Sequence, residues 1–471
     1  MIFILLVIDQ GVAGLIYNST SSLWGNQMLN DAPHITTPHP GPLSREIIRR
    51  IRASEAAACL TFGLADFPPV LARATGAVIE DPDGNRFLDM VAGFGSLNLG
   101  HSHPAIVAAA SGQLALGQQA MSMASPVRVE LTERLSRMLP GLPRVMLGAS
   151  GSEAAEMALK LARRATGKPG VIAFAGGFHG RTIGALALMG RATQRTGLGT
   201  LGPVIHLPYP DPFRSPFGCD ADSVSATTLE LIDHQLADPT GGWDQVGAVM
   251  VEPVQGNGGM IPAPPGFLTG LREVCSRHGV LLICDEVMSG FHRTGNLFSF
   301  EHDVNVSPDI VVMGKSLSAG LPLSGVLISD TVAAASPNGT ESSTYAGNLV
   351  SCAAALAALD VYESGFMSEI AADRGAFLLA RLQTVLGAHP AVGEIRGRGL
   401  MVAVELVEDA DSRSPAPVAR KISDACVSRG LLVYPGGHNG NVVAMLPPLI
   451  ASNEQLSTAV RVLGEVMDEI L

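Results

Sequence analysis

Runs of four to six apolar residues recur through the middle of the chain, each closed by a polar residue or a glycine. The spacing predicts buried strands over Arg144–Leu147, Val171–Phe174, Val204–Leu207, Ala248–Glu252, Leu281–Asp285 and Ile310–Met313. Between them the apolar period lengthens, which predicts helices over Glu153–Ala165, Leu229–Leu236 and Gly266–His278. Strands alternating with helices imply a mostly parallel sheet covered on both faces. Earlier in the chain, Ser44–Ala58 and Ala105–Gln119 read as helices. Ala77–Glu80 and Arg86–Met90 flank an Asp-Pro-Asp-Gly turn, which predicts a hairpin. After Asn348 the pattern changes. A helix over Ser351–Ser364 leads into strands at Met401–Leu406, Leu431–Tyr434 and Val442–Met445, with helices at Val418–Ser428 and Asn453–Leu471. This last block reads as a smaller α+β lobe.

Composition narrows the class. Of the 471 residues, 47% are apolar and 16% charged, with a net charge of -12, which describes a folded chain with a large core. The basic residues include four lysines, Lys160, Lys168, Lys315 and Lys421. That scarcity and the negative balance exclude polybasic surfaces, so neither nucleic acid nor a membrane is expected as a partner. Six cysteines without a CxxC pair fit a reducing compartment, and the expected location is cytoplasmic. The apolar run Met1–Ile8 is too short to span a bilayer and lacks a basic flank before it. Residues 1–41 are expected to form a poorly ordered extension, which makes the sequon at Asn18 of little consequence.

In an open parallel sheet, ligands bind beyond the carboxyl ends of the strands. Three polar residues close apolar runs there: Glu252, Asp285 and Lys315, spaced 33 and 30 residues apart (252 to 285, 285 to 315). Each spacing suits one strand–helix–strand unit. A structural ion-pair network is the bland alternative for any one of them. The segment Gly148-Ala149-Ser150-Gly151-Ser152-Glu153 adds an anion cradle, because it joins a strand to a helix through small residues. Two decoys drop out. Gly197-Leu198-Gly199-Thr200-Leu201-Gly202 matches a dinucleotide pattern, but neither a strand precedes it nor a helix follows. His101 and His103 lack a third metal ligand nearby, and no metal is expected.

A lysine at a strand end facing carboxylates suggests a Schiff base to an aldehyde cofactor. Pyridoxal 5′-phosphate (PLP) fits the set. Ser150, Gly151 and Ser152 would take its phosphate. Asp285 would keep its ring nitrogen protonated. Phe178 and Val287 would cover the two ring faces, with His179 in the same glycine-rich loop as Phe178. Glu252 is the second carboxylate on the rim.

The motifs resemble those of class III aminotransferases, within the fold-type I PLP enzymes. They include Ser150-Gly151-Ser152-Glu153-Ala154, Phe178-His179-Gly180-Arg181-Thr182, Glu252-Pro253-Val254-Gln255-Gly256 and Asp285-Glu286-Val287. Gly314-Lys315-Ser316, Thr344-Tyr345-Ala346-Gly347-Asn348 and Ile395-Arg396-Gly397-Arg398-Gly399-Leu400 also match. The resemblance implies a mostly parallel central sheet flanked by helices, with a smaller α+β domain. It implies a PLP-binding domain over 96–345, a small domain over 346–471, and a segment 42–95 that joins the small domain. It further implies a homodimer in which Thr344 reaches the cofactor phosphate of the neighbouring subunit. Lys315 would both anchor the cofactor and move the proton during transfer from an amino donor to a keto acid, 2-oxoglutarate or pyruvate.

The sequence departs from the family in three places. Relatives acting on ornithine or 4-aminobutyrate place a Glu after the Glu-Pro-Val-Gln-Gly motif, paired with an Arg before a Pro-Pro-Leu segment. Here those positions are Asn257 and Ala444. Losing both members is self-consistent, since one alone would leave an unpaired buried charge. Met288 stands where many members have a Gln, which points to amine donors. Arg181 remains, at the position that grips a distal carboxylate in relatives. The expected activity is a transaminase moving a terminal (ω) amino group of an amine, amino sugar or ω-amino acid. The alternatives are an aminomutase or epimerase acting within one molecule, and a non-catalytic scaffold.

Overall fold

The computed structural model describes Leu29 and residues 31–59, 67–199, 201–409 and 413–471. Most of the expected N-terminal extension lies outside the described residues. Its described part, 31–41, departs from the expected disorder because it is tied to the hairpin. His34 and Arg86 exchange backbone hydrogen bonds of 2.9 and 2.7 Å. Asn85 Oδ1 accepts the Thr36 N–H at 2.8 Å.

Among the described residues, seven strands make the central sheet. Their spatial order is Arg144–Gly148, Ser324–Ile328, Ile310–Met313, Leu281–Asp285, Val246–Val251, Gly170–Phe174 and Val204–Leu207. The last five run parallel, and Ser324–Ile328 is antiparallel to both neighbours. Period-2 geometry sends alternate side chains to opposite faces. Val171, Ala173, Ala248, Met250, Ile283, Ile310 and Val312 pack with Ala154, Ala155, Ala158 and Ala162 of the helix Gly151–Thr166. Ile172, Phe174, Val249, Val251, Leu282, Val311 and Met313 join the larger core on the other face. Burial on both faces explains why these strands are continuous apolar runs.

Three strands, Arg73–Thr75, Val78–Glu80 and Arg86–Asp89, form an antiparallel meander that pairs with Leu431–Leu432. A further antiparallel sheet holds Val392–Arg398, Met401–Asp409, Val442–Met445 and Tyr434–Gly436. The single strand expected over Leu431–Tyr434 is therefore two. The chain leaves one sheet at Leu432 and enters another at Tyr434. Ser324–Ile328, Val392–Arg398 and the helix Met367–Leu386 were not anticipated. The helix–helix pair Leu349–Tyr362 and Met367–Leu386 is bent by 73°, and among the described residues no single helix is long and apolar enough to cross a membrane.

Candidate active site

Asp285 is the last residue of its strand, and Glu252 the first beyond Val246–Val251. Beyond the ladder, its carboxylate caps two loops. It accepts the N–H of Phe178 at 2.9 Å and of Gly256 at 3.2 Å. Burial pushes the Glu252 carboxyl up to about 7, with the nearby Asp285 charge adding to it and His179 opposing.

His179 Nδ1 donates to Asp285 Oδ2 at 2.6 Å, and both side chains are buried. The other oxygen, Asp285 Oδ1, accepts the Val287 N–H at 3.0 Å. Burial opposes a charged His179 ring, but the hydrogen bond to Asp285 and the charges of Asp285 and Glu252 outweigh it, and its pKa is raised. The carboxylate is thus fixed in place from both sides.

Lys315 follows the strand Ile310–Met313 and opens a short 3₁₀ turn with φ at 43°, in the left-handed region that favours glycine. Its surroundings over-determine that backbone. Tyr362 Oη donates to the Ser316 carbonyl at 2.9 Å, and Ser316 Oγ donates to the Gly95 carbonyl at 2.7 Å. Burial pulls the Lys315 amine down to about 8, helped by the Arg293 charge and opposed by Asp285 and Glu252. Burial disfavours an ammonium, so a neutral nucleophilic amine becomes accessible near neutral pH.

The anion cradle forms around the helix Gly151–Thr166. Ser150 is its N-cap and accepts the Glu153 N–H at 3.2 Å, while Glu153 Oε2 accepts the Ala149 N–H at 2.5 Å. The loop 178–181 seats on it, with Arg181 N donating to Ser152 Oγ at 3.0 Å. Gly180 has φ of 130°, and a Cβ there would come within 2.7 Å of the Ser152 Cα. A Cβ on Gly151 would meet Val287 Cγ1 at 3.1 Å, and one on Gly314 would meet it at 3.3 Å. Small residues therefore hold Ser150–Ser152, Val287 and Gly314 within one cradle. Phe178 and Val287 are partly exposed, as surfaces meant to be covered by a ring would be.

Two of the expected residues are exposed. Arg181 carries its guanidinium on an exposed stretch, and Thr344 is exposed, with its carbonyl accepting from Gln119. His101 pairs with Asp89 at 2.8 Å, and Asp89 in turn accepts the Val91 and Ala92 N–H groups. That pair braces the turn carrying Phe94.

Four residues escaped sequence reasoning. Tyr434 Oη donates to Asn257 Oδ1 at 2.8 Å, and Phe94 meets the Tyr434 ring edge-on at 5.4 Å. Arg191 donates to the carbonyls of Asn257 and Gly437. Arg293 is fully buried and donates to the carbonyls of Leu400 and Pro447 and to Asn98. Phe94 alone carried a signal, since Gly93 and Gly95 flank it as Gly176, Gly177 and Gly180 surround Phe178.

A family model for class III aminotransferases matches residues 64–467. The chain is a class III aminotransferase. A diaminobutyrate–2-oxoglutarate aminotransferase of Haemophilus influenzae is 35% identical to it over 391 residues, 80% of this chain and 86% of that protein. An alanine/serine racemase of Pyrococcus horikoshii is 32% identical over 453 residues, 94% of each chain. Among solved structures, an (S)-enantioselective ω-transaminase from Thermomicrobium roseum superposes with a TM-score of 0.84 at 31% identity, covering 91% of this chain and 98% of that one. The aminotransferase has the α/β, fold-type I architecture of these enzymes. Its cofactor is PLP, as in the family, and the cradle, the buried Asp285 and the depressed Lys315 amine fit that molecule.

Proposed function

We propose that this aminotransferase moves a terminal (ω) amino group between an amine, amino sugar or ω-amino acid and a keto acid. The observation that carries the reading is the convergence of Lys315 and the His179-held Asp285 beside a rim whose polar pair, Tyr434 and Asn257, is neutral. PLP, when bound, supplies an aldehyde that captures amines and a ring that withdraws electrons from the carbon losing its proton.

The residues divide the remaining work. Ser150, Gly151 and Ser152 bind the phosphate at a helix N-terminus. Asp285 would hold a proton at the ring nitrogen, and His179 keeps that carboxylate oriented. Phe178 and Val287 cover the ring faces and exclude water. Glu252 fixes the Phe178 loop through its N–H. Lys315 anchors the cofactor and carries the proton between carbon centres, for which an amine near 8 is suited. Arg181 binds a substrate carboxylate. Two copies of the chain form the working unit, with Thr344 serving the neighbouring phosphate; the exposure of Thr344 and of Leu116, Met121, Met123 and Tyr345 supports this. Six free cysteines support a reducing, cytoplasmic setting.

A donor panel of α-amino acids, ω-amino acids, diamines and amino sugars tests the reading, scored by loss of the cofactor's visible absorbance. The expected result is conversion by ω-donors and none in Lys315→Ala. A panel in which no amine alters the absorbance contradicts it. The racemase relative favours a second reading, an isomerase acting within one molecule. Turnover without any keto acid, by enzyme not previously aminated, would select that one.

A further inference from the structure

We infer that this chain has a second small-molecule site, for an α-amino acid with an aliphatic side chain, in which Arg398 takes the carboxylate and Glu369 the ammonium. The site is an open cleft of about 540 Å³, and none of the cofactor-site residues described above lines it. It lies between the loop 294–302, the helix Met367–Leu386 and the turn 397–399.

Backbone contacts fix its geometry. A Cβ on Gly399 would come within 2.7 Å of the Thr294 Cα, so the turn that carries Arg398 lies directly against Thr294. His302, which also lines the cleft, donates from Nε2 to the Thr294 carbonyl at 2.9 Å. Burial, together with the Arg398 charge, lowers the His302 pKa, which leaves Arg398 as the cation of the cleft.

Three groups here lack partners. Thr294 is 2% exposed, and its Oγ1 has no hydrogen-bond partner among the described residues. A buried hydroxyl left so calls for a reason, and a ligand atom supplies one. Among the described residues, neither Arg398 nor Glu369 makes an ion pair, with each other or with any other group. Opposite charges therefore face one cleft without meeting. A zwitterion bridges them. The guanidinium fork suits a carboxylate, and the Thr294 hydroxyl adds a donor to it. Glu369 then takes the ammonium, while Ala372, Ala376 and Leu379 give the side chain an apolar wall.

Arg398 also borders an adjoining cleft with three carboxylates, Asp211, Asp222 and Glu394. Glu394 pairs with Arg396 at 2.6 Å, and Asp211 Oδ1 accepts the Phe213 and Arg214 N–H groups at 2.9 and 3.2 Å. Asp222 is exposed. None of the three pairs with Arg398, so its guanidinium stays available to a ligand.

The test uses 2-aminoisobutyrate, whose α-carbon carries no hydrogen and so cannot lose a proton in transamination. Thermal unfolding of the holoenzyme across ligand concentrations gives an apparent Kd. Isobutyrate and isopropylamine, which each carry one of its two charged groups, are measured beside it. The cofactor's visible absorbance, recorded in parallel, reports occupancy of the catalytic site separately. The expected result is a rise in unfolding temperature with 2-aminoisobutyrate, and an apparent Kd about tenfold weaker for either half. Arg398→Gln and Glu369→Gln, both outside the cofactor site, should each weaken 2-aminoisobutyrate by about tenfold as well. No rise in unfolding temperature overturns the inference. So does an apparent Kd within twofold of the original in either variant, or isobutyrate binding as tightly as the amino acid.

Discussion

His179 holds Asp285 through a 2.6 Å hydrogen bond between two buried side chains that lie 106 residues apart in sequence. The carboxylate would otherwise have the Val287 N–H as its only described partner. His179→Gln should therefore lower kcat by about 10- to 100-fold, the range for losing a hydrogen bond to a buried charge. Stopped-flow amination by a good donor measures it. An unchanged rate would show that Asp285 needs no positioning.

The Lys315 amine titrates near 8 instead of at the usual 10.5. Capture of an aldehyde requires the neutral amine, whose fraction rises with pH until the pKa is passed. PLP uptake by the apoprotein should accelerate up to about pH 8 and stay level above it. The rate of appearance of visible absorbance across pH 6 to 10 is the measurement, with those limits set at about two units either side of that value. A rate still climbing at the upper limit would place the amine near its ordinary value.

Gly180 cannot tolerate a side chain. Its φ of 130° disfavours any Cβ, and the Ser152 backbone would lie 2.7 Å from one. Gly180→Ala should cost about 1–3 kcal/mol of stability. It should also weaken PLP binding, because the displaced backbone is the phosphate cradle itself. Thermal unfolding with and without PLP reads both effects.

Phe94, edge-on to the Tyr434 ring at 5.4 Å, lines a cavity of about 430 Å³ whose walls also include Val91, Leu432, Val433 and Tyr434. Phe94→Ala should open that space to the site. Amines with bulky aromatic substituents should gain in kcat/KM relative to small ones, by about tenfold for each few methylene equivalents newly accommodated. Equal losses for large and small donors would mean that the cavity does not communicate with Lys315.

How much of this was legible in the sequence depends on the range of the interaction. Asp285 and Lys315 stood out because each closes or follows an apolar run whose strand is buried on both faces, and the structure brings them to one rim with Glu252 and the Ser150–Ser152 cradle. Strand ends shifted by a residue or two, as at Glu252, which lies just beyond Val246–Val251 and turns its carboxylate to two loop N–H groups. Tyr434 was hidden because its partner Asn257 lies 177 residues away and because Leu431–Tyr434 looks like one strand. The change of sheet at Val433 has no local signature. Arg293 was hidden for a different reason. A buried guanidinium satisfied by carbonyls and an amide leaves no charge pattern to read. The antiparallel strand Ser324–Ile328 follows a Gly-Leu-Pro-Leu segment that reads as a loop, and only its pairing on both sides makes it a strand.

Four lysines make the central claim unusually easy to test. Lys160 pairs with Glu341 on the helix beyond the cradle, and Lys168 and Lys421 lie outside the rim described above. Borohydride reduction of the purified holoenzyme fixes PLP covalently to the lysine that carries it, and peptide mass mapping then locates the label. The account predicts the phosphopyridoxyl mass on the peptide containing Lys315 and on no other. A label on Lys160, Lys168 or Lys421, or none on Lys315, would contradict it.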